Sequence, residues 1–417
     1  MSESDQRIVS QLPFHYGWVI VGTGMLCIFA CLGLGRFALG MLLPAMALPL
    51  DLSYSNMGFI STANFAGYLG AVLIGGVAAG KTGARKIISL ALLLVGLSMC
   101  LISQAQTFIG VAVLYTLTGI GSGAANVPMM GLVSHWFSDK KRGKAAGFVV
   151  IGSGFAIILA GRFIPAVNQR FGPDGWRVNW LIIGAVSIVI AAICFLLLRD
   201  RPVDVGLKPA GTMGDADPRD RTAGTVINVY REKAIYLLGV IYFLFGYTYV
   251  IYATFIVTAM VRERGFTESA AGSLWSWIGL LSLLSGPLFG SLSDRIGRKK
   301  GLMTVFSFQM AAYFLVAFTL PDRMLHLSIF CFGIVAWSIP SIMIAAVSDY
   351  AGASQATAAF GLVTFIFGIG QITGPAVAGV LAEKTGSFSS SFFMAGVCAA
   401  LALSLAAFLR KPQRSRS

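Results

Sequence analysis

An arginine stands beyond the middle of the first long apolar run, at Arg36, with Leu34, Phe37 and Leu39 around it. A charged side chain in hydrocarbon costs about 2.5–3.5 kcal/mol even on the insertion scale, so it needs a polar cavity, a partner or a route to the headgroups. Its planar fork of N–H donors matches the two oxygens of a carboxylate. Arg162, in the outer half of the fifth run, is a second candidate anion contact, with snorkelling as the competing expectation. Asn126 is polar at a depth where polarity takes a partner, either a neighbouring helix or a ligand. Tyr247, Tyr249 and Tyr252 can offer hydroxyls to a carboxylate while their rings pack on apolar atoms, and their spacing lets at most two share a face. Gln371 is a further candidate, whereas Trp275, Trp277 and Trp337 read first as packing or interface residues. No run carries an acidic residue near its middle, since Asp294, Asp349, Asp51 and Glu383 all sit at run ends. Buried cationic charge without buried acid favours an anionic substrate. A proton or a counter-anion then travels beside it or against it.

The elements that must position these residues are helices in lipid. Hydrophobic residues make up 56% of the 417 and charged residues 12%, about half the charge of a soluble domain. A helix crosses the hydrocarbon with about 20 apolar residues. Twelve such runs can be marked, at 16–47, 55–79, 86–105, 108–135, 144–168, 177–198, 234–261, 269–292, 301–319, 325–350, 357–382 and 390–409. The expected fold is therefore all-α, with twelve membrane helices, and the bilayer is the first partner. The 49 glycines are spread through the runs, where small residues let backbones approach closely. The net charge of +14 does not point to nucleic acid, because of where it falls. Apart from Arg36, Arg162, Arg170, Arg177, Arg262, Arg264, Arg323 and Lys384, every Lys and Arg lies on one side if the N-terminus is cytoplasmic. That is the positive-inside bias, and it predicts a multi-pass protein of the cell membrane with both termini in the cytoplasm.

The segment 199–233 is polar and proline-bearing and reads as a cytoplasmic linker between halves 1–198 and 234–417. A shift of 214 positions aligns Gly76, Lys81, Gly83 and Lys86 with Gly290, Arg295, Gly297 and Lys300, and Gly147 and Gly154 with Gly361 and Gly368. One register spanning several helices marks an internal repeat, an architecture many transporters share.

The stretch from Gly290 through Asp294, Arg295, Gly297 and Arg298 to Lys300 resembles the signature loop of the major facilitator superfamily, and Gly76 to Lys86 is its first-half copy. The resemblance implies two pseudo-symmetric six-helix halves that alternate access to a central site. It also implies a gating role for Gly76, Gly83, Arg85, Gly290, Asp294, Arg295, Gly297 and Arg298, with the Asp294 carboxylate helping to hold the cytoplasmic side closed. His15 to Trp18, and Arg199-Asp200-Arg201-Pro202-Val203-Asp204-Val205-Gly206-Leu207, resemble monocarboxylate and oxalate–formate transporters. Gly35-Arg36-Phe37 with Leu42-Leu43-Pro44 also resembles a group of bacterial facilitators. The eighth run lacks the arginine that monocarboxylate transporters place there, so their substrate contacts do not carry over wholesale.

An enzyme is not expected. His15, His135 and His326 lie near different run ends, and no cofactor loop, metal-ligand cluster or nucleophile motif is present. Two readings compete with a proton-coupled or exchanging monocarboxylate-like transporter. One is a drug or metabolite exporter, on the glycine–proline pattern of Gly370, Gly374, Pro375 and Gly379, which Arg162 interrupts in the fifth run. The other is a transporter-like sensor that binds its ligand without moving it.

Overall fold

The computed structural model describes residues 13–211, 232–318, 320–352 and 355–409, without the side chains of 74–78 and 139–140. Most of the 199–233 segment and the basic residues from Arg410 onward therefore lie outside the described residues. Among the described residues twelve long helices follow one another: α1 Gly17–Ala47, α2 Tyr54–Thr82, α3 Ala84–Ile102, α4 Phe108–Trp136, α5 Asp139–Phe171, α6 Gly175–Leu197, α7 Lys233–Glu263, α8 Glu268–Ile296, α9 Arg298–Ala317, α10 Asp322–Ala351, α11 Ala356–Thr385 and α12 Ser389–Ala407. Ten stretches are long and apolar enough to span a membrane. One of them, Lys141–Leu197, holds both α5 and α6. The helix α2 contains the segment whose side chains are not described. The all-helical, twelve-span expectation is met, with ends within a few residues of those read from the sequence. Helices are the solution because lipid offers no partner to a free backbone N–H or C=O.

Three of the twelve are irregular, and the sequence reading saw none of it: α7 closes on a π-helical turn, Ala259–Glu263, and the other two are α1 and α10. In α1 the segment Phe29–Phe37 is a π-helix. Such widening leaves carbonyls without their usual donors, and here side chains of neighbouring helices serve them. Ser122 donates to the carbonyl of Cys31, Asn64 to that of Gly35 and the Tyr115 hydroxyl to that of Arg36. The helix α10 breaks between Asp322–Val335 and Ser338–Ala351. Pro340, near the start of the second piece, has no N–H to give to the first. Ser285 of α8 accepts from the backbone of Trp337 and its carbonyl accepts from Ser338.

The described residues fall into two compact units, one within 1–50 and 63–218, the other within 51–62 and 219–417. In the first, α3 packs against α4 and α6, and α1 lies along α5. In the second, α7 packs on α11, α8 on α10 and α9 on α12. Residues 51–62, placed in the first half by sequence, pack in the second unit. A Cβ on Gly58 would lie 2.4 Å from the carbonyl of Pro375, and Thr62 donates to the carbonyl of Ile372. The start of the 199–233 segment is also not free. Leu198, Val205 and Ala210 belong to the first unit's core with Tyr16, Trp136 and Phe137.

Candidate functional site

Arg36 lies in the last turn of the π segment of α1. Its guanidinium carbon stands 4.5 Å from the ring centre of Phe65 and 4.2 Å from that of Tyr68, both on α2. Aromatic faces attract the cation electrostatically but accept none of its N–H groups in plane. The Nε and Nη2 atoms are sealed from water and have no hydrogen-bond partner. Among the described residues no acidic side chain pairs with Arg36. Tyr115 holds the backbone carbonyl of Arg36 with a hydrogen bond of 3.1 Å, which fixes where the side chain starts.

Tyr68 joins Arg36 to Asn126. Asn126 Nδ2 of α4 donates to the Tyr68 hydroxyl at 2.7 Å. A hydroxyl that accepts from an amide keeps its own proton for another acceptor. The cation and this hydroxyl thus form one centre, built on α1, α2 and α4, that offers donors and no negative charge.

The second unit holds a centre of another kind. Tyr249 accepts a hydrogen bond from Gln371 Nε2 and meets Trp337 edge-on at 5.7 Å between ring centres. Phe245 and Phe367 stack on Tyr249 at 4.9 and 6.1 Å. The other two tyrosines point elsewhere. The Tyr247 hydroxyl donates to Met394 Sδ at 3.3 Å, and Tyr252 shares a hydrogen bond with Ser328 at 2.8 Å while stacking on Phe332. One tyrosine of the three meets Gln371, next to the break in α10.

Arg162 is exposed on α5, on a face that also exposes Phe155 and Leu159. Among the described residues it makes no hydrogen bond, ion pair or ring contact, and nothing ties it to Arg36. The signature-loop residues divide by half. In the second, Arg298 donates to Asp294, to Ser293 Oγ at 2.9 Å and to Asp349 Oδ2 at 3.1 Å. Arg295 is exposed, and Gly290 has open space where a side chain would begin. In the first, Gly76 lies inside α2, and Arg85 donates through Nε to the carbonyl of Phe195 at 2.6 Å and covers the Phe195 ring. Gly83 and Gly297 both adopt positive φ, +92° and +90°, which only glycine takes without strain. The two loops turn alike at the same register.

Phe65 and Tyr68 were missed from sequence, because aromatics in apolar runs usually pack. The signal that would have found them is the stripe Asn64, Phe65 and Tyr68, one polar and two aromatic residues on a single helical face of α2.

Comparison with known proteins gives a consistent picture. Residues 28–409 match the model of the family described as "Uncharacterised MFS-type transporter YbfB". The hexuronate transporter of Bacillus subtilis (strain 168) is 24% identical over 399 residues, covering 90% of this chain and 91% of that protein. Monocarboxylate transporter 11 of Mus musculus is 25% identical over 414 residues, covering 93% and 86%. The crystal structure of the nucleoside transporter NupG superposes with a TM-score of 0.70 at 14% identity, covering 94% of this chain and 98% of that one.

Proposed function

The chain belongs to the family of the uncharacterised MFS-type transporter YbfB, and on that premise we propose that it carries a small organic anion, bound through its carboxylate at Arg36. The observation that carries the reading is a guanidinium held by two aromatic rings with Nε and Nη2 buried and unpaired. Leaving charged donors unmet in a dry site is costly, so the arrangement calls for an acceptor that arrives with the ligand. A carboxylate fits it, with the Tyr68 hydroxyl as a further donor. The hexuronate and monocarboxylate transporters named above handle carboxylates by their names, which supports the same class.

Transport by alternating access of the halves 1–198 and 234–417, with proton symport or anion exchange, completes the proposal. The lysine and arginine asymmetry supports a cell-membrane protein with both termini in the cytoplasm. Tyr249 and Gln371 are proposed as neutral contacts. Arg162, Tyr247 and Tyr252 keep a weaker claim, since nothing in their surroundings aims them at a ligand. Asp294, Arg298 and Asp349 are proposed as a latch on the cytoplasmic side.

The test is uptake of labelled glucuronate, lactate and oxalate into proteoliposomes of the purified protein. A pH gradient that drives uptake identifies symport, and stimulation by an anion trapped inside identifies exchange. Saturable uptake of at least one carboxylate is expected. Binding without uptake would favour a sensor, and export of neutral or cationic compounds alone would favour an exporter; either would overturn the proposal.

A further inference from the structure

The motif from Arg199 to Leu207 lies outside the Arg36 centre, yet the segment that carries it is tied to the first unit by several hydrogen bonds. The Trp136 indole donates to the carbonyl of Arg199 at 2.9 Å, and His15 Nε2 meets the carbonyl of Lys208 at 3.0 Å. Ala210 donates to the carbonyl of Trp136 at 2.9 Å and its own carbonyl accepts from Ser138 at 3.2 Å. Between these anchors Pro202–Val205 forms a 3-10 turn, closed by Asp204 on the backbone of Arg201 at 2.9 Å. The segment is a strap over the ends of α1, α4 and α6.

One carboxylate of the strap points at α3. Asp200 Oδ1 accepts from the backbone N–H of Arg85 at 2.8 Å, and Oδ2 lies 2.8 Å from where a side chain on Gly83 would begin. The start of α3 needs an acid. It opens with Ala84, Arg85 and Lys86, has no acidic residue in its first turn and is preceded by Gly83, which has no side chain to cap it. Basic residues at the positive end of a helix dipole are unfavourable. The start of α9 has the same defect, with Arg298, Lys299 and Lys300 after Gly297. There Asp294 and Asp349 supply the negative charge through Arg298. The repeat register places Gly80, Ala84 and His135 where the second half has Asp294, Arg298 and Asp349, so the first half lacks that entire set.

We infer that Asp200 is the first half's replacement for that set, a positioning residue that holds the turn at Gly83 and the start of α3 through the strap. The assignment gives the motif a role that does not depend on which substrate is carried. It also locates the asymmetry of the repeat, because one half takes its acids from the ends of α8 and α10 and the other borrows its acid from the segment after α6.

Amide hydrogen exchange on the purified full-length protein tests this without a substrate. Asp200→Ala should speed exchange in the first turn of α3 about fivefold or more, as loss of a helix cap does. Asp200→Asn, which keeps an acceptor without the charge, should have a smaller effect. Uptake of the labelled carboxylates should fall in maximal rate with KM within about twofold. Unchanged exchange at the start of α3 would overturn the inference. A rate of uptake that stays at wild type while exchange quickens would reduce Asp200 to a purely structural cap and overturn its positioning role. The exchange arm succeeds or fails independently of the anion proposal.

Discussion

The polar centres of the two units differ in kind. In the first, Arg36 brings a full charge, is flanked by Phe65 and Tyr68 and keeps two buried nitrogens unmatched. In the second, Tyr249, Gln371 and Trp337 are neutral, and Gln371 spends an N–H on Tyr249. The repeat register puts Val250 opposite Arg36, beside Tyr249, so the related position carries no charge. An internal repeat in sequence thus carries an asymmetric chemistry. The first centre has a charged need that a ligand can fill, with Nε and Nη2 of Arg36 buried and unmatched, whereas the second carries no charge. On the proposed function, charge recognition resides in the first unit, and Tyr249 and Gln371 are proposed only as neutral contacts.

Substitutions can break or sharpen this contrast. The largest effect is expected at Arg36. Arg36→Ala removes charge-assisted hydrogen bonds worth about 1.5–3 kcal/mol, so carboxylate affinity should fall about ten- to a hundredfold. Arg36→Lys keeps the charge and loses the planar fork, so its loss should be smaller. Tyr68→Phe should come next. It preserves the ring under the guanidinium but removes a neutral hydroxyl, for a loss of about two- to tenfold in affinity measured by equilibrium binding. In the second unit, Gln371→Leu removes the amide that donates to the Tyr249 hydroxyl. The expected result is lower thermal stability, by about 1–3 kcal/mol, with carboxylate affinity changed less than by Tyr68→Phe. If Gln371→Leu weakened binding as much as Arg36→Ala, the proposed division of labour between the units would be wrong.

The signature loops give a second contrast and the smallest effects on stability. Asp294 is 62% exposed and its pair with Arg298 is correspondingly screened, so Asp294→Asn should cost under about 1 kcal/mol in a melt. Its effect belongs to the transport cycle, where it should lower uptake and raise labelling of a cysteine placed on the cytoplasmic face. Gly80→Ala, at a position with open space around it, should do much less. Equal and small effects of both on uptake would remove the gating role.

Much of this was legible in the sequence because lipid simplifies the code. Charge-free runs of helical length define spans, and lysine and arginine counts predict sidedness. Arg36 and Asn126 stood out because polarity in such runs is expensive. Tyr68, which links them, did not stand out, since an aromatic in an apolar run carries no excess cost. The π segment of α1 and the break in α10 escaped notice for a related reason. Each depends on hydrogen bonds from other helices, from Asn64, Tyr115 and Ser122 in one case and Ser285 in the other. Local sequence holds only half of such a bond. The packing of residues 51–62 within the second unit, and of Leu198, Val205 and Ala210 within the first unit's core, depends in the same way on distant partners.

The account rests on Arg36 as the anchor for an anion, and one paired measurement on a single purified variant addresses it. Carboxylate binding and thermal melting are to be recorded on Arg36→Ala beside the wild-type protein, using the carboxylate that the wild type takes up. The account predicts a loss of affinity of about ten- to a hundredfold with a melting temperature no lower than wild type, because removing an unpaired intramembrane charge relieves desolvation. A structural arginine gives the opposite pattern, with a lowered melting temperature and affinity near that of the wild type, and that result would contradict the central claim.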